Sequence, residues 1–293
     1  MLLDHFDPAE TIELMEREHV GYMFAVPAML NALARDETAR SRDWSALKVI
    51  QIGGAPIADE TALLGREVFG MVLYQGFGQT EALPVCMMGP EEWFSDVEGS
   101  EPLRSTGRAL PFAYLQIRDP DDCTRELPIG AEGEIAVKCD GQMLEFWDNA
   151  EATAERITPD GFVLTGDIGR LDTNGYLYVL DRKDDMIISG GFNIWPAELE
   201  NVIADHPGVV EVAVFSVPDD RWGETPMAVC SVADGIAVDD ARIIDEIRAL
   251  CVDHLGSYKK PTHVELRAEP LPKSPVGKIQ RKVLREPHWA GHD

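Results

Sequence analysis

The sequence predicts an α/β protein in two parts. The first carries a parallel α/β sheet and an antiparallel, barrel-like subdomain; the second is a small α/β domain. Three observations predict this. Short apolar strands alternate with amphipathic helices as far as Tyr74, the pattern of a parallel sheet. Around Leu103 short alternating runs separated by turn residues take over, as in an antiparallel sheet or small barrel. Beyond Asp185 the order becomes strand, helix, strand, strand, helix, strand. The expected boundaries are 1–181, with the antiparallel region at about 103–180, and 182–293.

The elements follow in order. Asp7 as N-cap, Pro8 at the first helical position and Glu10 at the third predict a helix start, with Ile12, Met15 and His19 at helical spacing. Val20 to Val26 is a short apolar run stopped by Pro27, with a helix through Leu33 after it. Leu47 to Ile52 reads as a strand ending at Gly53-Gly54, Ala58 to Phe69 as a helix, and Met71 to Tyr74 as a strand ending at Gly76. Tyr114–Arg118, Gly133–Lys138, Phe162–Leu164 and Tyr176–Leu180 are the alternating runs, with Asn174-Gly175 as one of the turns between them. The last part reads as a helix over Pro196–Ala204, strands over Val210–Val217 and Met227–Val232, a helix over Asp239–His254 and a strand over Thr262–Leu266.

A chain of 293 residues with 45% hydrophobic and 27% charged residues has enough core to fold unaided and is composed like a soluble globular protein. No apolar run is long enough to span a bilayer, and the first residues lack the basic and apolar regions of a secretory signal. Five scattered cysteines without a Cys-x-x-Cys pair read as reduced, mostly buried thiols of a cytoplasmic protein. The formal net charge of −26 opposes nucleic acid and anionic membranes as partners. Polyanionic ligands would need a local cluster of cations, and Lys259, Lys260, Lys273, Lys278, Arg281, Lys282 and Arg285 supply one.

Several short motifs could carry chemistry, although each has an ordinary structural explanation when taken alone. Gly53-Gly54-Ala55-Pro56 follows a strand directly and would let a ligand approach the backbone; taken alone it reads first as a plain strand-to-helix turn. In Tyr74-Gln75-Gly76-Phe77-Gly78-Gln79-Thr80-Glu81, read as a loop after a strand, Phe77 could present its face to a planar base. Thr80 could bond a phosphate oxygen there, and Glu81 could hold Mg²⁺. Thr165-Gly166-Asp167 places a carboxylate at the end of a strand, suited to accepting from two vicinal hydroxyls. Arg182 is a fixed cation nearby in sequence, and Asp184, at the junction of the two parts, is a hinge candidate or a solvated linker residue. Ser189-Gly190-Gly191-Phe192-Asn193 is a tight hairpin turn or the wall of a narrow channel. Lys278 lies on a loop opening a basic helix, where a lysine acts as a mobile point charge.

In this order and spacing the motifs resemble those of the adenylate-forming acyl-CoA ligases, from about Asp7 to Arg285. The resemblance implies ATP, Mg²⁺ and coenzyme A as ligands and a small carboxylic acid, fatty or aryl, as substrate. It implies an acyl-adenylate, then transfer to a thiol after the mobile small domain swings. Gly54, Ala55 and Pro56 would line the adenine and acyl pocket. Phe77 would stack on adenine, Thr80 would contact phosphate, Glu81 would bind Mg²⁺, and Asp167 and Arg182 would hold the ribose. Asp184 would be the hinge and Lys278 the catalytic cation. Gly190, Gly191 and Trp222 would wall the pantetheine channel, with Tyr258, Lys259 and Lys260 near the nucleotide of coenzyme A. The segment from Ser189 to Glu200 resembles the acyl-CoA ligase form more than the basic form of peptide-synthetase domains. The family's Ser/Thr/Gly-rich phosphate loop is not found ahead of Gly53, which leads to the expectation of an incomplete chain with weak adenylation. That chain would have an exposed apolar sheet edge suited to a missing half or a second copy. The alternative is a non-catalytic remnant that binds AMP, coenzyme A or a partner, or one half of a split enzyme.

Overall fold

The computed structural model describes residues 5–233, 235–274 and 279–290. The chain divides into two compact units, Met1–Val179 and Leu180–Asp293.

In the first unit Asp7 caps helix α1 (Pro8–Arg17) by accepting from the Glu10 backbone N–H at 2.8 Å, so one of the four orphan donors of the first turn is satisfied. Strand β1 (Tyr22–Ala25), helix α2 (Pro27–Arg35), strand β2 (Val49–Ile52), helix α3 (Asp59–Phe69) and strand β3 (Leu73–Gln79) then alternate. The pairs β1–β2 and β2–β3 are parallel, because each is joined by a helical crossover. Strand β4 (Ala82–Met88) returns from β3 through the two-residue turn Thr80-Glu81, and a tight turn makes that pair antiparallel. Past the short helix α4 (Pro90–Trp93), strand β5 (Arg108–Ala109) adds antiparallel to β4. The sheet, in order β1-β2-β3-β4-β5, is therefore mixed rather than wholly parallel.

Strands β6 (Ala113–Arg118) and β7 (Gly133–Cys139), helix α5 (Ala150–Arg156), and strands β8 (Val163–Leu171) and β9 (Leu177–Arg182) complete the middle of the chain. The four strands form one open sheet in order β6-β7-β8-β9, so the barrel-like expectation is corrected: no strand closes β9 back onto β6 among the described residues. A single four-stranded layer instead buries one face against β4, with Val85 and Cys86 packed among Ile117, Ile135, Val137 and Leu177.

The main core of this unit lies between the first sheet and its helices, around Ile12, Leu30, Leu33, Ile50, Ile52, Leu73 and Trp93, each wholly buried. Burying one such side chain contributes about 1.5–3 kcal/mol. Exposed pairs such as Arg35–Glu60 and Arg40–Glu67 add roughly 0–1 kcal/mol each, so apolar burial decides the stability. Strand β1 is a sheet edge and exposes Tyr22 and Phe24, at 57% and 51%.

The second unit begins with a hairpin of β10 (Ile187–Ser189) and β11 (Phe192–Ile194), then helix α6 (Pro196–Ala204). Strands β12 (Val209–Asp219) and β13 (Gly223–Val232) form a long antiparallel pair. Helix α7 (Ala241–Leu255) leads to β14 (His263–Arg267), which runs parallel to β13, and helix α8 (Arg281–Trp289) ends the described chain. One apolar cluster joins Leu199, Ile203, Ile243 and Ile247 to Val214 and Ala228; a second joins Leu271 and Leu284 to Phe215, Met227 and Val229. The strands thus carry apolar residues on both faces, which is why they read as continuous hydrophobic runs.

All five cysteines are free thiols, with Cys86, Cys139, Cys230 and Cys251 buried. Burial pushes the Cys86 and Cys230 thiols up to about 12 and that of Cys251 up to about 11. No helix among the described residues is long and apolar enough to cross a membrane.

Gly65 of α3 sets how closely that helix packs. A Cβ there would lie 3.0–3.1 Å from the Leu30 methyls and 3.1 Å from a Leu73 methyl. The branched side chain of Gly65→Val cannot be accommodated without moving α2 or β3. It is expected to lower stability by about 1–3 kcal/mol, read as a shift in the urea midpoint at constant m-value.

Candidate functional site

The candidate residues of the first unit gather on β2, β3 and the hairpin turn. Tyr74 to Glu81 is not a loop after a strand. Strand β3 runs on through Gly76, Phe77 and Gly78 as far as Gln79, leaving only Thr80 and Glu81 in the turn. The glycines, which read as turn residues, lie inside the strand because neighbours crowd their Cα atoms. A Cβ on Gly78 would fall 2.6 Å from Leu83 Cδ1, and one on Gly76 would fall 3.4 Å from the Cys86 carbonyl oxygen. Opposite Gly78, Leu83-Pro84-Val85 forms a bulge that contains a cis Leu83-Pro84 peptide. The turn is held from outside, since the Met143 N–H donates to the Glu81 carbonyl at 2.7 Å. Thr80 is exposed, and Glu81 and Phe77 are half-buried.

The structure brings the end of β2 against this strand. A Cβ on Gly53 would lie 3.4 Å from the Gly76 carbonyl oxygen and 3.5 Å from the Phe24 ring. Gly54 follows with φ +82°, a left-handed conformation that favours glycine, and Ala55 and Pro56 lead on toward α3. Gly53 and Gly76 therefore make a bare strip of sheet beside Phe24. Gln51, whose side-chain oxygen accepts from the Tyr22 hydroxyl at 2.7 Å, continues it toward the edge.

Gln75 was not among the residues singled out from the sequence. It is 3% exposed, and its side-chain oxygen is buried with no hydrogen-bond partner, one of three such atoms among the described residues. An unmet buried acceptor costs about 1–3 kcal/mol, which argues that something donates to it in the working state. A lone polar residue within an apolar strand carries no local sequence signature; only its missing partner marks it.

Asp167 stands within β8, not at a strand end. Thr165, Gly166 and Asp167 lie opposite Ile135 alone, so they form a bulge, with Gly166 at φ +70°. The bulge is pinned by Thr165 Oγ1 donating to the Ile135 carbonyl at 2.9 Å and by the Gly166 N–H donating to Glu134 at 3.1 Å. Asp167 is 6% exposed, and its own N–H donates to Thr165 Oγ1. A bulge re-aims side chains, which is how a mid-strand carboxylate comes to differ from its neighbours.

In the second unit Arg182 and Asp184 are both exposed, at the end of β9 and in a 3₁₀ turn over Lys183–Asp185. Gly190 and Gly191 are the two-residue turn of the β10–β11 hairpin, at φ +59° and +84°, so the hairpin reading of this segment describes its backbone. The Gly190 N–H donates to the Trp222 carbonyl at 3.0 Å, and the half-open Trp222 indole lies against Gly190, where a Cβ would meet it at 2.5 Å. The exposed Phe192 and Tyr258 rings pack with centroids 5.3 Å apart. Lys259 is not a free cation of that surface, because its ammonium pairs with Glu198 at 2.5 Å. Lys278 lies outside the described residues. Among the described residues on either side, Lys273 forms a bridge with Ile279, and the Gln280 N–H donates to the Pro272 carbonyl at 2.8 Å.

Gly190→Ala would add both a left-handed alanine and a clash with the indole. It is expected to cost about 1–3 kcal/mol and to expose Trp222, read by thermal denaturation and a red shift in tryptophan emission.

The sequence profile of the AMP-binding enzyme family matches residues 2–147, and that of the AMP-binding enzyme C-terminal domain matches residues 198–278. The chain is 38% identical over 282 residues to a feruloyl-CoA synthase of Amycolatopsis, covering 96% of this chain and 54% of that protein. It is 36% identical over 288 residues to the long-chain-fatty-acid–CoA ligase FadD13 of Mycobacterium tuberculosis, covering 98% of this chain and 54% of that one. Among solved structures, the amide bond synthetase McbA from Marinactinospora thermotolerans superposes with a TM-score of 0.87 at 34% identity, over 97% of this chain and 56% of that one. The o-succinylbenzoate CoA synthetase of Bacillus subtilis, solved with its acyl-adenylate intermediate, superposes with a TM-score of 0.80 at 31% identity, over 95% and 54%. The chain thus spans about half the length of the relatives it matches. With both profiles matched in order along the chain, it belongs to the AMP-binding, adenylate-forming enzyme family.

Proposed function

We propose that this chain carries the nucleotide-binding and thiol-transfer parts of an ATP-dependent acyl-CoA ligase acting on a fatty or aryl carboxylic acid. The carrying observation is the unpartnered Gln75 oxygen, buried on the strand that also bears Phe77. An exocyclic amino group such as that of adenine would satisfy it, while Phe77 offers the ring face. On the opposite face of β3, the glycine strip beside Phe24 leaves room for a flat group, and Gly54, Ala55 and Pro56 border it. Asp167 and Arg182 would hold the ribose hydroxyls.

In the first step a carboxylate oxygen bonds to the α-phosphorus as the bond to pyrophosphate breaks. Thr80, exposed at the turn, would bond a phosphate oxygen. Lys278 would offset the negative charge that builds up, which is electrostatic rather than acid–base assistance. Glu81 would hold Mg²⁺, which commonly takes one or two carboxylates with the remaining ligands from phosphates and water, and so would reduce charge on the phosphates. In the second step a thiol sulfur attacks the acyl carbon, AMP leaves and the thiol proton passes to solvent. Gly190, Gly191 and Trp222 would wall the approach of the thiol. Asp184 would be the hinge between the two steps. The feruloyl and long-chain fatty acid names of the relatives support an aryl or fatty acid substrate.

Calorimetric titration with AMP tests the base and ribose assignments. The chain is expected to bind AMP, and Asp167→Ala and Gln75→Leu to weaken binding at least about tenfold, the worth of about 1.4 kcal/mol. Absence of AMP binding by the intact chain would count against the reading. In an assay with acid, ATP and coenzyme A, thioester formation that survives Lys278→Ala unchanged would remove that lysine from the mechanism.

A further inference from the structure

Arg281, the first residue of α8, holds three carboxylates that lie 81 to 100 residues before it in sequence. Its Nε donates to Glu200 Oε1 at 2.8 Å, and Nη2 bonds the other Glu200 oxygen. Nη1 donates to Asp185 Oδ2 at 2.8 Å and to Asp181 Oδ1 at 3.2 Å. The carboxylates are themselves anchored. Asp181 accepts from the Arg182 and Ala197 N–H groups at 2.8 and 2.7 Å, and Glu200 accepts from the Val214 N–H at 2.8 Å. One guanidinium thus joins the end of β9, the 3₁₀ turn, α6 and α8, with β12 tied in through Glu200.

This is a costly way to hold helices together. Burial pushes the carboxyls of Asp181 and Glu200 above their usual range. Burial also opposes the charge on Arg281, but Glu200, Asp181 and Asp185 together raise its pKa above the usual arginine value. Buried ionic clusters seldom add net stability over apolar packing, and fixing register is their best-attested use. The apolar contacts of Leu284 and Ile203 already seat α8 and α6 on the sheet. The two aspartates held by Arg281 bracket three residues, Arg182, Lys183 and Asp184.

We propose that Arg281 is a positioning residue of the hinge: by gripping Asp181 and Asp185 on one rigid fork it holds the backbone of Arg182, Lys183 and Asp184 in this conformation, and rotation there requires one of the two grips to release. The proposal rests on the acyl-CoA ligase reading for what the rotation accomplishes. A lysine could supply the charge but not the planar fork that reaches all three carboxylates.

The test is amide hydrogen exchange on the full chain, with Arg281→Gln, Arg281→Lys and Asp185→Asn. Asp185→Asn keeps the Arg281–Glu200 pair and so guards against simple unfolding. The Met186 amide, which donates to the Lys183 carbonyl at 3.4 Å, is expected to exchange at least about tenfold faster in all three variants, while β13 amides stay within about twofold. The Ala197 amide should quicken in Arg281→Gln and not in Asp185→Asn. The ratio of adenylate formation to thioester formation from preformed acyl-adenylate should shift at least about tenfold. Uniform loosening of β13, full restoration by lysine, or faster hinge exchange with an unchanged ratio would each overturn the positioning role. A wild-type chain that performs neither half-reaction would overturn the ligase reading instead, leaving the exchange pattern to judge the clamp.

Discussion

The first unit depends on a constraint placed on β3: it must pair parallel with β2 on one side and antiparallel with β4 on the other. The two pairings bring together two kinds of architecture, a crossover-built sheet with helices and a hairpin-built sheet packed on β4. Leu73 on β3 belongs to the helical core, while Phe77, four residues on, packs against the second core with Ile135 and Leu177. A strand that satisfies both cores has little freedom in its side chains. The face left over is correspondingly bare, with glycine at 76 and 78, and that bare face adjoins the Gly53-Gly54 turn. Gln75 and Phe77 stand on the face opposite those glycines, so the site candidates occupy both faces of β3 where the two architectures are joined.

The second unit is organised differently. Its strands carry apolar residues on both faces, and the Arg281 guanidinium ties several of its elements together. The two units therefore use polar burial in opposite ways. In the first, Gln75 leaves an acceptor unmet; in the second, three carboxylates share a cation and several backbone donors. An unmet group suits a place that a ligand completes, whereas a saturated cluster suits a place that must keep one geometry.

How much of this was legible in the sequence varies with the kind of signal. Proline at the first helical position located α1, α2 and α6, and Asp7 showed where α1 begins. The Gly190-Gly191 turn was legible because only such residues relax at two successive positive φ angles. Glycine misled where it served packing instead of turning: Gly76 and Gly78 read as the end of β3 but lie inside it, held by the approach of Cys86 and Leu83. Asp167 looked like a strand end because Thr-Gly-Asp resembles a turn, and a bulge within a continuous strand has the same local composition. The open edge of the second sheet was illegible because alternation specifies a strand but not whether its sheet closes. Gln75 escaped notice, and Arg281 read as one cation of a ligand-binding cluster although it is paired with carboxylates, for a related reason. Their character comes from partners that are absent in one case and up to 100 residues away in the other.

The placement of the thiols carries its own consequence. Cys86 lies in the core of the first unit, and Cys230 and Cys251 in that of the second, with every one of them almost wholly buried and poorly ionised. A thiol in that state reacts with alkylating reagents only when its surroundings open. Each unit therefore contains its own chemical clock, and the order in which the sulfurs become labelled would reveal which half of the molecule breathes first.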